Sequence, residues 1–307
     1  MRALLVTNPT ATTTTARSRE VLARALASEV KVDVEETSHR GHAAALAVRA
    51  AREGLDLVVA LGGDGTVNEV VNGLLTDGPR DGIPALAVVP GGSTNVFARA
   101  IGLPGDPFDA TGQILEALRA GRTTTVGLGL AEDRWFTFNA GVGFDAEVVR
   151  RIERRRRAGE PPTHARFVRA ALAHFLVGYD RRHPALTLCR PGEEDVPGIY
   201  FALVTNSSPW SYLGSRPVEP TPAASFAAGL DLFAPRSMGV VATARFVRQA
   251  LFAPTAASTR RLLRVHDLTD FTLRADRPMA FQVDGDYLGE RESVRFRSMP
   301  GVLRVVV

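Results

Sequence analysis

The sequence predicts an α/β protein with two domains: an N-terminal doubly wound parallel sheet and a C-terminal domain of mostly antiparallel β-strands. Apolar runs alternate with helical segments over the first 125 residues, which is the pattern of a parallel sheet covered by helices. Beyond that point, short strand-like segments are separated by Gly, Pro and Asn. The length of 307 residues is typical of two domains.

The domain boundaries follow from this change of pattern. We place the α/β domain at residues 1–125 and the β-rich domain at 126–295, and we leave open whether a last strand within 296–307 returns to the first domain. In the first domain we predict strands and helices in alternation: strands at 3–7, 31–35, 55–61 and 85–89, and helices at 18–28, 41–52, 67–75, 96–101 and 107–120. In the second we predict strands at 123–130, 135–139, 185–189, 199–205, 231–234, 268–274 and 303–307, with helices at 145–158, 163–177 and 241–252.

Composition excludes several classes of protein. The net charge of +4 is too small to indicate a nucleic-acid partner, and we expect none. The single cysteine, Cys189, excludes an intramolecular disulfide and a cysteine-based metal site. No apolar run approaches the ~20 residues of a membrane span. We therefore expect a cytoplasmic protein in which any contact with lipid is peripheral.

The strongest motif is Gly62-Gly63-Asp64-Gly65-Thr66, directly after the apolar run 55–61. Glycines let backbone N–H groups approach a phosphate, and a following helix N-terminus favours negative charge. The segment is neither a P-loop nor a dinucleotide-binding fingerprint, because the required lysine and spacing are absent. A carboxylate in such a loop is explained by a bound Mg²⁺ or by a reacting hydroxyl. The alternative is an ordinary turn in which Asp64 caps the helix.

A second loop, Pro90–Asn95, also follows a predicted strand and contains Gly91-Gly92 and two hydroxyl side chains. By itself it is equally well explained as a plain Pro-Gly-Gly turn. Since ligands of such sheets bind at the carboxyl ends of the strands, we expect Asn8, Gly62–Thr66 and Gly91–Asn95 to lie at one edge.

Together the two loops resemble the bacterial diacylglycerol kinase family. The resemblance rests on Gly62–Val71, which includes Asn68-Glu69, and on Pro90–Asn95 leading into Phe97-Ala98-Arg99. That family is related to sphingosine and ceramide kinases, and more distantly to NAD kinases and phosphofructokinases, whose fold the N-terminal domain would share. The resemblance extends to further segments: Asn8-Pro9, Thr37, Asn139–Asp145, Gly229–Asp231 and Val283–Asp286.

The resemblance implies an ATP- and Mg²⁺-dependent lipid kinase that converts diacylglycerol to phosphatidic acid. Asp286 would be the general base, with Asp284 in reserve, while Asp64 would bind Mg²⁺ and act in catalysis. Asp231 would hold a structural Mg²⁺. The resemblance also implies a set of ATP-binding residues: Asn8, Thr10, Thr37, Gly62, Gly63, Asp64, Gly65, Thr66, Asn68, Glu69, Gly92, Ser93, Thr94 and Asn95.

The sequence departs from the family at three positions. Asp286 stands where the family has Glu, Val96 stands where it often has Asp, and Ala228 replaces an Asp before Gly229. The residues alone would make Val283–Asp286 a hairpin turn.

Other acceptors and another role stay open. A sphingoid or ceramide-type lipid or NAD is an alternative acceptor, although the second glycine-rich segment typical of NAD kinases is absent. A non-catalytic nucleotide-binding regulator is a third reading. The basic stretch Arg150–Arg157 precedes an apolar helix, so we expect peripheral contact with the inner face of the plasma membrane, the alternative being a solvated helix face. A homodimer is also left open.

Overall fold

The computed structural model describes residues 1–157, 164–254 and 257–307. The chain divides into two compact units: unit 1 is Met1–Leu128 with Pro300–Val307, and unit 2 is Gly129–Met299. The predicted fold class, a parallel α/β domain and a mostly antiparallel one, is confirmed.

Unit 1 contains four parallel strands and five helices. The strands are β1 (Arg2–Thr7), β2 (Lys31–Glu36), β3 (Leu57–Gly62) and β4 (Ala85–Pro90). The helices are α1 (Ala16–Ala27), α2 (His42–Arg52), α3 (Asp64–Leu74), α4 (Val96–Ala100) and α5 (Pro107–Arg119). Strand β5 (Thr123–Ala131) begins in this unit and ends in unit 2.

The strand order in unit 1 places the polar loops together. The sheet runs β2-β1-β3-β4, and Val305 pairs with Leu86 on the far side of β4. Every residue of β3 and β4 is buried, as expected for central strands covered on both faces. Leu61 lies opposite both Thr7 of β1 and Val89 of β4, so the three strands end at nearly the same level. The loops that follow them therefore start from one edge of the sheet.

Helix α3 begins earlier than the sequence predicts. Its first residue is Asp64, whereas the prediction started the helix at residue 67. The backbone N–H groups of Thr66 and Val67 donate to the carbonyl oxygen of Gly63, at 2.9 and 3.2 Å. Asp64, Gly65 and Thr66 therefore form the first turn of the helix, so the loop proper is only Gly62-Gly63.

Unit 2 is built mainly from β-strands, the last two of which are long. They are β6 (Arg134–Phe136), β7 (Asn139–Val142), β8 (Leu186–Cys189), β9 (Val196–Ile199), β10 (Ala202–Thr205), β11 (Ser211–Leu213), β12 (Arg216–Val218), β13 (Leu230–Pro235), β14 (Leu262–Leu268), β15 (Asp270–Val283) and β16 (Asp286–Val306, whose last residues belong to unit 1). The helices are α6 (Phe144–Arg157), α7 (His164–Ala173), a π-helical turn (His174–Gly178) and α8 (Val240–Phe252). The predicted helix ends at Ala158 and Thr163 lie outside the described residues.

The main sheet of unit 2 is antiparallel, in the order β14-β13-β10-β7-β15-β16, with β8 also paired to β15. Its core contains a phenylalanine cluster in which the rings of Phe271 and Phe296 stack at 5.2 Å and Phe136 meets Phe296 edge-on at 6.4 Å. The long hairpin β15–β16 turns at Asp284-Gly285 and carries the predicted base Asp286. No helix in the described parts of the chain has the length and apolarity to span a membrane.

Candidate active site

Two glycine pairs at the ends of β3 and β4 pack directly against each other. A Cβ atom on Gly92 would lie 2.7 Å from the Cα of Gly63, and one on Gly91 would lie 3.0 Å from the Cα of Gly62. The N–H of Gly91 donates to the carbonyl oxygen of Gly62 at 2.8 Å. Contact between the two loops therefore requires glycine at these positions, whatever ligand binds nearby.

Gly65 is different from these four glycines. A Cβ atom there would meet nothing within 4 Å, and its φ is not positive, so neither packing nor turn geometry requires glycine. It lies in the first turn of α3, at the helix N-terminus, which carries partial positive charge. The open space beside Gly65 is thus suited to an anionic group such as a phosphate.

Asp64 connects the start of α3 to the start of α4. Its Oδ1 accepts a hydrogen bond from the backbone N–H of Phe97 at 3.2 Å. The residue that caps α3 is Gly63, which makes no side-chain hydrogen bond, so Asp64 does not cap its own helix. Its carboxylate instead lies at the first turn of each of the two helices that follow the glycine loops.

The predicted ATP-binding residues of the second loop divide into two groups. Asn95 has a positive φ of 49°, and its side chain closes the loop: Oδ1 accepts from the N–H of Gly92 and Nδ2 donates to the Gly92 carbonyl oxygen, both at 2.8 Å. Ser93 is exposed and Thr94 is half-buried. Asn95 therefore shapes the loop, whereas the two hydroxyl side chains are accessible to a ligand.

The loop after β1 adds a small polar group. Asn8 Oδ1 accepts hydrogen bonds from the backbone N–H and the hydroxyl of Thr10, at 2.9 and 2.8 Å. Asn8 Nδ2 donates to Oγ1 of Thr66 at 3.1 Å. These contacts bring Asn8, Thr10 and Thr66 together. Thr37, which follows β2, donates its N–H to the carbonyl oxygen of Thr7 at 2.8 Å.

Glu69 and Asn68 make contacts that the sequence did not indicate. The carboxylate of Glu69 accepts from the N–H groups of Gly41 and Ala43, at 2.8 and 3.2 Å, and so caps α2 from the neighbouring helix. Asn68 is 1% exposed and its Oδ1 accepts from Nδ2 of Asn72 at 3.1 Å. The one sequence signal for the first contact is that α2 starts after Gly41, which cannot cap it with a side chain.

In unit 2, the turn of the β15–β16 hairpin is held by Asp284. Asp284 and Gly285 have φ values of 46° and 82°, as the two central residues of a tight hairpin require. The buried Asp284 carboxylate accepts four hydrogen bonds: from the N–H and hydroxyl of Thr137 at 2.7 and 2.8 Å, and from the N–H groups of Phe138 and Asn139 at 3.1 Å. Burial raises the pKa of Asp284, and these bonds oppose the rise. Asp284 therefore has a structural role in this turn, and its role as reserve base stays a prediction.

Asp286 follows this turn as the first residue of β16, paired with Val283 and half-buried. Gln282, which is 1% exposed, stabilises the turn, because its Oε1 accepts a hydrogen bond from the N–H of Gly285 at 2.8 Å. Its Nε2 donates to Oδ1 of Asn139 at 2.7 Å and to Oδ2 of Asp145 at 2.8 Å. The next residue along β16 is also held, because the N–H of Tyr287 donates to Glu153 on α6 at 3.1 Å.

Asp145 is the acidic member of this network. Burial raises the pKa of the Asp145 carboxyl to about 6, and the hydrogen bond from Gln282 opposes that rise. Its proton equilibrium therefore lies within the range in which enzymes are assayed, two hydrogen bonds away from the turn that carries Asp286.

The residues around Asp231 do not fit the structural Mg²⁺ that the resemblance implies. Asp231 is buried, its Oδ1 lies 2.6 Å from Nδ1 of His266, and the same oxygen accepts from the N–H of Asp267 at 3.2 Å. Ala228 supplies no carboxylate. Within residues 1–157, 164–254 and 257–307, no group of three or more His, Cys, Asp or Glu side chains could hold a metal ion. The imidazole of His266 thus occupies a position beside the Asp231 carboxylate at which a metal ion would have to bind.

The N-terminal part of this chain is similar in sequence to known diacylglycerol kinases. Residues 2–130 match the family model of the diacylglycerol kinase catalytic domain. Diacylglycerol kinase of Bacillus subtilis (strain 168) is 32% identical over 204 residues, which are 64% of this chain and 59% of that protein. The chain thus spans less than two thirds of the length of this relative.

Solved structures show the same fold. A diacylglycerol kinase from Bacillus anthracis str. Sterne superposes with a TM-score of 0.73 at 19% identity, covering 99% of this chain and 96% of that one. An NAD kinase from Archaeoglobus fulgidus in complex with ATP superposes with a TM-score of 0.51 at 12% identity, covering 100% and 94%. The resemblance carried by Gly62–Val71 and Pro90–Asn95 is confirmed, because both segments lie within residues 2–130, which match the model of the diacylglycerol kinase catalytic domain.

Proposed function

We propose that this protein is a lipid kinase that transfers the terminal phosphoryl group of ATP to the hydroxyl of diacylglycerol. The observation that carries the proposal is the open first turn of α3, where Gly65 leaves space beside the Asp64 carboxylate. Phosphoryl transfer requires positioning and neutralisation of phosphate charge, and a helix N-terminus next to a carboxylate suits a metal-bound phosphate.

The donor side of the reaction is assigned to unit 1. Ser93, Thr94 and Thr10 offer hydroxyl groups near the glycine loops, and the first turn of α3 offers backbone N–H groups. Mg²⁺ commonly takes one or two carboxylates together with phosphate oxygens and waters, so Asp64 fits a Mg²⁺ ligand. When bound there, Mg²⁺ would supply charge neutralisation on the phosphates.

The acceptor side is assigned to the hairpin of unit 2. An alcohol is a weak nucleophile until a positioned base accepts its proton. The Asp286 carboxylate would accept the hydroxyl proton as the new O–P bond forms and the bond from phosphorus to the departing ADP breaks. The hydrogen bonds of Gln282 and Asp284 hold the turn beside Asp286, and so keep its backbone in one position.

The names of the relatives support this assignment. The Bacillus subtilis relative is a diacylglycerol kinase, and the Archaeoglobus NAD kinase of the same fold was solved with ATP. Sphingoid bases, ceramide and NAD are the competing acceptors, and a nucleotide-binding regulator without turnover is the competing role. Localisation in the cytoplasm, with peripheral contact at the inner face of the plasma membrane, is part of the same proposal.

The decisive experiment is a radiolabelled-ATP assay of the purified protein against diacylglycerol, ceramide, sphingosine and NAD, with Mg²⁺ and with EDTA. We expect label in phosphatidic acid only, and only with Mg²⁺. Label in another acceptor would replace diacylglycerol as the substrate. ATP binding without transfer to any of the four would favour the regulator.

A further inference from the structure

The outward face of α8 is apolar and basic. The helix buries Ala242, Phe246 and Ala250, spaced four residues apart, against the rest of unit 2. A surface helix normally presents polar side chains on its other side. The outward side of α8 instead presents large apolar side chains that are 53–80% exposed: Val240, Val241, Val247 and Phe252. Its only charged residues are Arg245 and Arg248.

Helix α7 and the π-helical turn after it repeat this composition. Val177 is 92% exposed, and three further apolar side chains are about half exposed: Val168, Leu172 and Leu176. The segment from His164 to Gly178 contains no Asp or Glu, and Arg169 is exposed. Two separate helical segments of unit 2 therefore combine exposed apolar residues with arginines and contain no acidic residue.

The ends of these two segments adjoin one pocket on the surface. A single pocket is lined by Tyr179–Arg182 on one side and by Met238 and Gly239 on the other. Tyr179 follows the π-helical turn that ends at Gly178, and Gly239 caps α8 immediately before Val240. Val177 lies two residues before Tyr179, and Val240 directly follows Gly239, so an exposed apolar residue of each segment is close in sequence to the pocket lining, which also contains Arg181 and Arg182.

The charge of this region is positive. Asp180 is the acidic residue in the pocket lining, and it is paired: its Oδ2 lies 2.9 Å from His183 and 3.8 Å from Arg277. Arg169, Arg182, Arg245 and Arg248 are exposed, whereas the guanidinium of Arg181 lies over the ring of Phe175 at 4.9 Å. Helices that lie in the interface of an anionic bilayer typically combine aliphatic side chains, which insert into the bilayer, with arginine side chains, which contact the lipid headgroups.

We propose that this region, which we term the α7–α8 face, docks the protein onto the surface of a bilayer containing anionic phospholipid. The face consists of Val168, Arg169, Leu172, Leu176, Val177, Arg181, Arg182, Val240, Val241, Arg245, Val247, Arg248 and Phe252. The inference deepens the proposed function, on which it rests for its purpose, because a diacylglycerol acceptor resides in a bilayer.

The α7–α8 face is distinct from the basic stretch Arg150–Arg157. Arg150 is paired with Glu147 at 3.5 Å and with Glu290 at 2.9 Å, which reduces its availability to lipid. The apolar residues of α6 are turned inward, with Val148, Val149 and Ile152 buried. The described side chains of this stretch are thus positively charged but have no exposed apolar residues beside them that could insert into a bilayer. The side chains of Arg156 and Arg157 lie outside the described part of the structure.

The test is co-sedimentation of the full chain with vesicles of neutral phosphatidylcholine, with and without roughly one third of an anionic phospholipid, which gives the vesicle surface a negative potential. We expect binding to anionic vesicles only. Val240→Asp/Val241→Asp should lower the partition coefficient at least tenfold. Arg245→Gln/Arg248→Gln should lower it by about fivefold for each arginine removed, since each basic residue near the surface contributes about that factor.

Matched controls come from unit 1, where Val21 and Val34 are also about half exposed. Val21→Asp/Val34→Asp and Arg17→Gln/Arg52→Gln introduce the same changes away from the face, and both should bind vesicles as the parent protein does. Circular dichroism of all four variants verifies folding. Equal losses in test and control variants would overturn the proposal, as would unchanged binding in both test variants.

Two further measurements separate this inference from its alternatives. If size-exclusion chromatography shows a dimer that Val240→Asp/Val241→Asp makes monomeric while vesicle binding is unchanged, the face binds a second copy of the chain and the proposal is wrong. Kinase assays compare a short-chain diacylglycerol in free solution with diacylglycerol in vesicles. The test variants should keep activity on the first and lose it on the second. Selective loss of vesicle binding in a protein that phosphorylates no lipid would support the docking face while refuting the proposed function.

Discussion

The Oδ1 atom of Asp64 accepts a hydrogen bond from the backbone N–H of Phe97 at 3.2 Å, and this bond joins the helices that follow the two glycine loops. Asp64 therefore has a structural contact in addition to its proposed role in binding Mg²⁺. The two contributions can be separated, because Asn retains an oxygen that can accept from Phe97 while lacking the negative charge.

We expect Asp64→Asn to lower turnover by at least about 10²–10³-fold, the typical loss on removing one preorganised electrostatic group, with little change in stability. Asp64→Ala should lower turnover by the same factor. It should also lower the unfolding free energy by about 1 kcal/mol, because alanine cannot accept the hydrogen bond from Phe97. Steady-state kinetics and urea denaturation measure the two effects. An active Asp64→Asn variant would remove Asp64 from the metal site.

Substitution of Gly65 and Gly92 should have opposite effects on stability. Gly65→Ala enters open space in a helix and should raise the unfolding free energy by up to about 1 kcal/mol, while the new methyl group weakens nucleotide binding. Gly92→Ala would bring a Cβ to 2.7 Å from Gly63, and should cost about 1–3 kcal/mol through overpacking. Thermal unfolding and ATP titration of both variants test this; unchanged ATP affinity in Gly65→Ala would contradict a phosphate at this helix terminus.

The two aspartates of the hairpin turn should respond differently to the same change. Asp286→Asn should lower turnover by about 10²–10⁴-fold, the usual contribution of a general base, and leave the fold intact. Asp284→Asn should lose about 2–3 kcal/mol of stability, since an amide nitrogen would then face backbone N–H donors in a buried position. Parallel activity and denaturation measurements separate the roles. Full activity in a folded Asp286→Asn variant would exclude it as the base.

Asp145 should make stability depend on pH. Its pKa is about 6 in the folded protein and about 3.9 in an unfolded chain, so the folded state binds the proton more tightly. Stability from this group is present below pH 4 and is lost as the pH rises through 6, by about 1.4 kcal/mol for each unit of pKa difference. Asp145→Asn keeps an acceptor for Gln282 without a charge. In urea denaturation, the unfolding free energy of Asp145→Asn relative to the parent protein should increase between pH 4.5 and 7.5. If the unfolding free energies of the two proteins instead change in parallel with pH, the raised pKa of Asp145 is refuted.

The Asp231–His266 pair predicts that folding does not depend on a structural cation. In the absence of nucleotide, EDTA and millimolar Mg²⁺ should leave the unfolding temperature unchanged, because His266 already lies 2.6 Å from the Asp231 carboxylate. His266→Ala should lower the unfolding free energy by about 1–2 kcal/mol by removing a partner of the buried carboxylate. A clear rise in unfolding temperature with Mg²⁺ alone would restore a metal site there.

Much of the fold could be predicted because its signals are local. The apolar run 55–61 and the loop Gly62-Gly63 determine a buried strand and its end from neighbouring residues alone. The start of α3 was misplaced because the glycines look like a longer loop, whereas Gly63 O accepts the first helical hydrogen bonds.

The site was harder to predict because its contacts join distant residues. Glu69 caps α2 only because α2 and α3 are neighbours, and no local pattern shows that Glu69 will reach Gly41. The contact between Gly63 and Gly92 depends on β3 and β4 being adjacent and in register. Asp231 and His266 lie on the neighbouring strands β13 and β14, so no local pattern predicts their contact, and the structural Mg²⁺ expected at Asp231 came from the family resemblance alone.

The pairing of Val305 with Leu86 has a consequence for biosynthesis. Residues 300–307 belong to unit 1 although more than half of the chain separates them from Leu128. A nascent chain that has emerged only through Leu128 leaves the flank of β4 without its partner, and an uncovered strand of this kind invites aberrant association. Most of unit 1 is thus translated early, but its sheet is completed only when residues 300–307 have emerged.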